Sequence, residues 1–224
     1  MALSRDLGAL SPLNPRYDYQ TLYHSGNTRL LWLREKVNRL TLGSSFSHDE
    51  NIAYVVIESV NLWASFSRAY YLSWFMKPKT MTGGRIRCVR HFGFFEDALL
   101  FAIRHLRSPG YKRLHPSRRD EPAWHDPSNL LSLAAAVEVS NFAQISAALS
   151  FGATYVSNLP TVRNFYAHRN DETFRKVQSK AALLGLGTNL RPCEFVCASL
   201  PSRPQNLISD WLDEMRLTIE LLCD

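Results

Sequence analysis

Arg163, Asn164 and His168 stand in the run LPTVRNFYAH, residues 159–168, and their types suit attack on a phosphodiester without a metal. Arginine carries a permanent cation with a fork of donors, asparagine an amide that donates and accepts, and histidine a ring that titrates near neutrality. At about 100° per residue, Leu159, Val162, Phe165 and Tyr166 fall on one apolar arc of a helix. Arg163, Asn164, Ala167 and His168 occupy the opposite arc, where small Ala167 leaves room for a phosphate.

Arginine followed closely by histidine also occurs at Arg85 with His91 and at Arg118 or Arg119 with His125. The Arg163 match is set apart by its context: an amide directly after the arginine, a small residue before the histidine, an apolar stripe opposite, and Pro160 where a first helical turn tolerates proline. A helix starting near Pro160 puts Arg163 in or just beyond its first turn, where free amides and the helix dipole add positive potential. The segment NLPTVRNFYAHRND resembles the motif helix of the HEPN superfamily, whose ribonuclease members carry an arginine, a polar residue and then a histidine after four to six intervening residues. Arg163, Asn164 and His168 match its four-spaced form, and the likeness covers about residues 47–185 by helix order.

That resemblance implies an all-α, HEPN-like helical bundle, here with an N-terminal arm and a C-terminal helical extension. It also implies a homodimer in which both arginines and both histidines line one composite active site. Geometry agrees: Arg163 and His168 lie about 140° apart around one helix, and a two-fold axis can interleave two copies. Members paired with a nucleotidyltransferase antitoxin typically carry a tyrosine two residues after the histidine. Asn170 stands there, and Tyr166 precedes the histidine on the apolar arc, so silencing by modification of that tyrosine is not expected of this chain.

The expected chemistry is endoribonuclease action with neither metal nor cofactor. His168 takes the proton of the ribose 2′-hydroxyl or donates one to the departing 5′-oxygen, a role that typically supplies about 10² to 10⁴ in rate. Arg163 holds the phosphate and offsets its developing charge, and Asn164 orients either partner. The products are a 2′,3′-cyclic phosphate and a 5′-hydroxyl, so DNA, lacking the attacking oxygen, is not cut. The family's nuclease members often serve as toxins or in antiphage defence, which makes an antitoxin or defence-system protein an expected partner. The alternative is a non-catalytic nucleotide- or RNA-binding interaction module.

The elements that must position these residues read as helices joined by polar linkers. Residues 1–46 comprise an N-terminal arm, residues 1–27, carrying Tyr17, Tyr19 and Tyr23, and a first helix from Thr28 to Leu42. Ser47 with Glu50 opens a long apolar helix to about Met76, in which Glu58, Asn61 and Ser65 are polar breaks available to support Arg163 or His168. Phe94 to Arg107 is helical, with Phe94 and Phe101 assigned to packing. Asp126 caps a helix whose first residue is Pro127, and Asn129 to Phe151 reads as one small-residue helix. After the motif helix another runs from Glu172 to Leu184, closing the core at 47–185. The extension, residues 186–224, holds CEFVCASL, a strand or extended cover, and a last amphipathic helix from Asn206 to Leu222.

The net charge of +6 is unevenly spread. Residues 77–119 carry eleven basic side chains against Glu96 and Asp97, which leaves the rest of the chain acidic. A concentrated positive field draws polyanions, and RNA contacts are assigned to Arg85, Arg87, Arg90, Lys112, Arg113, Arg118 and Arg119, with Tyr111 and Trp124 as stacking candidates. The glycines near Thr82 lack the lysine and spacing of a P-loop.

With 46% apolar and 21% charged residues, the chain has the composition of a globular protein rather than a disordered one. Cys88, Cys193, Cys197 and Cys223 lack paired metal-ligand spacing and read as reduced, mostly buried thiols. No metal set is recognisable among the histidines. The opening residues lack a secretory apolar core and no apolar run reaches the ~18 residues that span a bilayer, so the expectation is a cytoplasmic protein off the membrane.

Overall fold

The structure, a computed structural model, describes residues 12–40, 47–107, 117–150 and 154–224. Among them the elements are helices, with isolated bridges and no strand: the fold is all-α. In chain order they are α1 (Tyr19–Leu40), α2 (Ser47–Ser73), α3 (Phe95–Leu106), α4 (Pro127–Ala136), α5 (Phe142–Ser150), α6 (Tyr155–His168), α7 (Asp171–Leu183), α8 (Pro192–Cys197) and α9 (Leu207–Cys223). Short 3₁₀ turns cover Trp74–Met76 and Arg118–Asp120. None of these helices is long and apolar enough to cross a membrane.

Two compact units emerge, one of residues 1–26, 62–152 and 218–224, the other of 27–61 and 153–217. This is not the linear division into 1–46, 47–185 and 186–224. Helices α1, α2 and α9 each contribute one stretch to either unit, so three of the four unit boundaries fall inside helices, where no linker composition marks them.

In the first unit the core gathers Tyr19, Leu22, Phe66, Tyr70, Trp74, Leu133, Ile145 and Ile219, all fully buried. Tyr19 and Leu22 thus belong to a helix that begins nine residues before Thr28, and the chain ahead of it is also tied down. Leu13 N donates to Ser65 Oγ at 2.6 Å and Arg16 N to Ser73 Oγ at 2.9 Å. Ser65 is therefore engaged with the N-terminal segment, while in the second unit Asn61 donates to Glu58 Oε1 at 3.0 Å.

Two aromatic assignments change. Phe94 is 73% exposed at the N-cap of α3, because Ala98, Ala102 and Ile103 carry the packing face of that helix. Trp124 is buried, and its Nε1 donates to Glu121 Oε2 at 2.8 Å. That carboxylate is gripped by Arg68 at 2.6 and 3.0 Å, so the indole is locked into the core rather than offered to a base.

Asp126 caps α4 as expected, its side chain accepting from Ser128 N with Pro127 next in line. The apolar run that follows is two helices, not one. Glu138 takes a left-handed φ of 51°, and Ser140 N donates to Arg87 O at 2.8 Å while Arg87 N donates to Ser140 Oγ at 3.0 Å. Pairing with a distant loop satisfies backbone groups that would otherwise continue the helix.

The second unit buries Leu30, Leu33, Val37, Ile52, Val56, Tyr155, Leu159, Val162, Val177, Phe195 and Trp211. Here CEFVCASL contributes a short helix, α8, instead of a strand. Pro192 suits its first position and Glu194 returns to cap it through Arg191 N at 2.8 Å.

Candidate functional site

The motif helix α6 is held at its start by a carboxylate from α9. Glu214 Oε2 accepts from Thr154 N at 2.8 Å and from Tyr155 N at 3.2 Å, and Thr154 Oγ1 donates to the same group. A negative charge on the first free amides satisfies orphan donors and opposes the dipole's positive end. Arg203 Nη1 meets Glu214 Oε1 at 3.1 Å and steadies it.

Because α6 begins at Tyr155, Pro160 lies inside it and not at its start. Arg163 is consequently in the third turn, out of reach of the terminal amides that a start near Pro160 would have given it. The two arcs survive. Leu159, Val162 and Tyr166 are buried and Phe165 half-buried, while Asn164, Ala167 and His168 are exposed and Arg163 is half-buried. Fully burying a side chain such as Leu159 contributes about 1.5–3 kcal/mol, which orients the polar arc outward.

His168 is the last residue of α6. Arg169 follows in the left-handed region (φ 44°), its N–H donating to Phe165 O at 2.6 Å. Asn170 then caps α7: its Oδ1 accepts from Thr173 N at 2.9 Å, and its own N–H donates to Thr173 Oγ1 at 3.4 Å. Two residues thus turn one helix into the next.

This corner encloses a groove of about 330 Å³. Thr161, Asn164 and His168 line it from α6, and Asn170, Glu172, Thr173 and Lys176 from the cap and first turns of α7. Asn164 and His168 are four apart and so share a helix face. Arg163 is not among the lining residues; its Nη1 donates to Asn164 Oδ1 at 3.3 Å, beside the groove. Lys176 Nζ lies 2.6 Å from Glu172 Oε1, and its ammonium holds the Glu172 carboxyl below the usual carboxylate range.

Beneath the groove, the Tyr166 hydroxyl donates to Asp49 Oδ1 at 3.0 Å. Burial first, and then the Asp49 charge, push its ionisation well above the ordinary phenol range. Burial, with Asp49 adding to it, likewise raises the Cys193 thiol. Tyr166 is a structural anchor of α6, consistent with its place on the apolar arc.

Among the described residues the basic candidates fall in the first unit, whereas the motif is in the second. Arg85, Arg87, Arg90, Arg118 and Arg119 are exposed, and the Arg90 guanidinium sits 4.8 Å over the Phe101 ring. Lys112, Arg113 and Tyr111 lie outside the described residues. Among the described residues, no group of three or more His, Cys, Asp or Glu side chains converges as a metal would need.

Sequence reasoning missed Thr161, Glu172, Thr173 and Lys176 as neighbours of His168. The Asn170 and Thr173 cap was the available signal, since it places the α7 N-terminus directly after the motif. No protein-family model, no curated protein and no solved structure matches the chain.

Proposed function

We propose that this chain is a metal-independent endoribonuclease of the HEPN kind, acting as a symmetric homodimer. The observation that carries the reading is that exposed His168 and Asn164 open onto one groove, with Arg163 hydrogen-bonded to Asn164 at its edge. A titratable ring, an amide and a guanidinium are thus gathered at a single helix end.

In the proposed reaction the ribose 2′-oxygen attacks phosphorus, the bond from phosphorus to the 5′-oxygen breaks, and the proton passes from the 2′-hydroxyl to the leaving oxygen by way of imidazole. His168 serves as base or acid, Arg163 offsets charge on the phosphoryl oxygens, and Asn164 orients. Because Arg163 lies outside its own groove, Arg163 of the partner subunit completes the charge compensation in a composite site. The proposed setting is a toxin or antiphage effector restrained by an antitoxin or defence-system protein.

The test is cleavage of a labelled RNA in the presence of a chelator by the parent, Arg163→Ala and His168→Ala proteins, with DNA of the same sequence as control. Cleavage leaving a 2′,3′-cyclic phosphate, lowered about 10² to 10⁴ in His168→Ala, is the expected result. Variants that cut like the parent would remove the assignment. A parent that binds RNA without cutting it would make the chain a binding module.

A further inference from the structure

In the proposed reaction a phosphate at His168 is favoured by a cation of the same protomer, and Arg163 is not among the residues that line the groove. Lys176 is. It shares the groove with His168 and Asn164, projects from the second turn of α7, and is exposed. Its present partner is Glu172, one turn earlier on the same helix, through an exposed ion pair at 2.6 Å.

We propose that Lys176 is the groove's own phosphate-binding residue and that Glu172 is its built-in competitor, released when an RNA phosphate takes its place. The proposal rests on the ribonuclease reading of the same groove. An exposed i,i+4 ion pair is weak and screened by solvent, so Glu172 holds the Lys176 ammonium only loosely. The ammonium is therefore free to exchange partners when a polyanion brings its phosphates to the groove. Thr173 and Asn170 line the groove at the start of α7, where the helix dipole adds positive potential. Glu172 and Asp171 occupy that first turn in the free protein, so an empty groove keeps its charges matched.

Binding is read by fluorescence anisotropy of a labelled 2′-O-methyl RNA oligonucleotide, which has no attacking hydroxyl, and cleavage by the corresponding unmodified RNA. Lys176→Ala is expected to weaken binding about tenfold and to flatten the slope of log affinity against log salt by about 0.7, the loss of one phosphate contact on a single strand. It should raise KM while leaving a kcat that still depends on His168. Lys176→Arg should restore most of the binding. Glu172→Gln should tighten binding several-fold, and that gain should shrink in the Glu172→Gln, Lys176→Ala double variant, because the part of it that runs through the ammonium is then lost.

An unchanged affinity and salt slope in Lys176→Ala, with the parent binding and cutting RNA, would overturn this inference and leave the ribonuclease reading intact. Weakened binding in Lys176→Ala with a parent that never cuts would keep Lys176 as a phosphate ligand and sink the catalytic reading. A parent that neither binds nor cuts overturns both.

Discussion

Tyr166 and Asp49, 117 positions apart, are joined by a 3.0 Å hydrogen bond from the phenol to the carboxylate. The bond links α2 to the face of α6 that lies opposite Asn164 and His168. The polar arc keeps its orientation because the apolar arc is fastened from below.

Tyr166→Phe keeps the ring and removes the donor, so a half-buried carboxylate loses its phenol partner and retains only the Cys193 thiol beside it. The expected cost is about 1–3 kcal/mol, read as a lower midpoint in denaturant titration at neutral pH. A midpoint equal to the parent's would mean that solvent and the Cys193 thiol satisfy Asp49 without the phenol.

Glu214→Ala should cost about 0.5–2 kcal/mol, the usual range for losing a helix N-cap, since Thr154 and Tyr155 lose their acceptor. Glu214→Gln retains an acceptor oxygen and should lose less. Hydrogen exchange of the first-turn amides of α6 checks the mechanism, because faster exchange should be confined to that end.

Arg169 holds a left-handed conformation that costs an L-residue roughly 1–2 kcal/mol and that glycine adopts freely. Arg169→Gly should therefore stabilise the protein by up to about 1 kcal/mol, once glycine's extra freedom in the unfolded chain is set against the relief. A destabilised variant would show that the Arg169 side chain contributes more than its backbone costs.

Burial pushes the Cys88 thiol up to about 12 and the Cys197 thiol to about 11, from an ordinary value of 9.0. Above about pH 9 the unfolded chain ionises these groups while the folded chain does not. Their contribution to stability is therefore complete below that value and is lost as pH rises towards 11 and 12. Denaturant midpoints should fall across this alkaline window, and Cys88→Ser with Cys197→Ser should flatten the fall. At about pH 8 the folded protein should react slowly with a thiol-specific disulfide reagent, and quickly once unfolded.

Phe94→Ser should leave stability within about 0.5 kcal/mol, as for other exposed positions, while Phe66→Ala should cost about 3–5 kcal/mol. The contrast separates two phenylalanines that local pattern alone treats alike. Thermal melting of both variants decides it.

Much of the fold was legible along the chain. The apolar arc of Leu159, Val162 and Tyr166, the cap at Asp126 with Pro127, and the extents of α3, α7 and α9 all follow from periodicity and end signals, because each depends on residues within a turn or two. Where long-range contacts compete with local preference, the pattern failed. Glu138 breaks an apolar run because Ser140 and Arg87 pair across 53 positions. Tyr19 starts α1 early, within the N-terminal segment that is fastened at Leu13 and Arg16 by Ser65 and Ser73. Trp124 turns inward to meet a carboxylate already held by Arg68.

The candidate site divides the same way. Which residues face away from the core of α6 is a property of helical geometry and was decided by the sequence alone. That Lys176, rather than Arg163, shares the groove with His168 depends on a left-handed residue and a reciprocal cap turning α7 back beside α6. Such a corner sets distances between side chains on different helices, and no period within either helix contains that information.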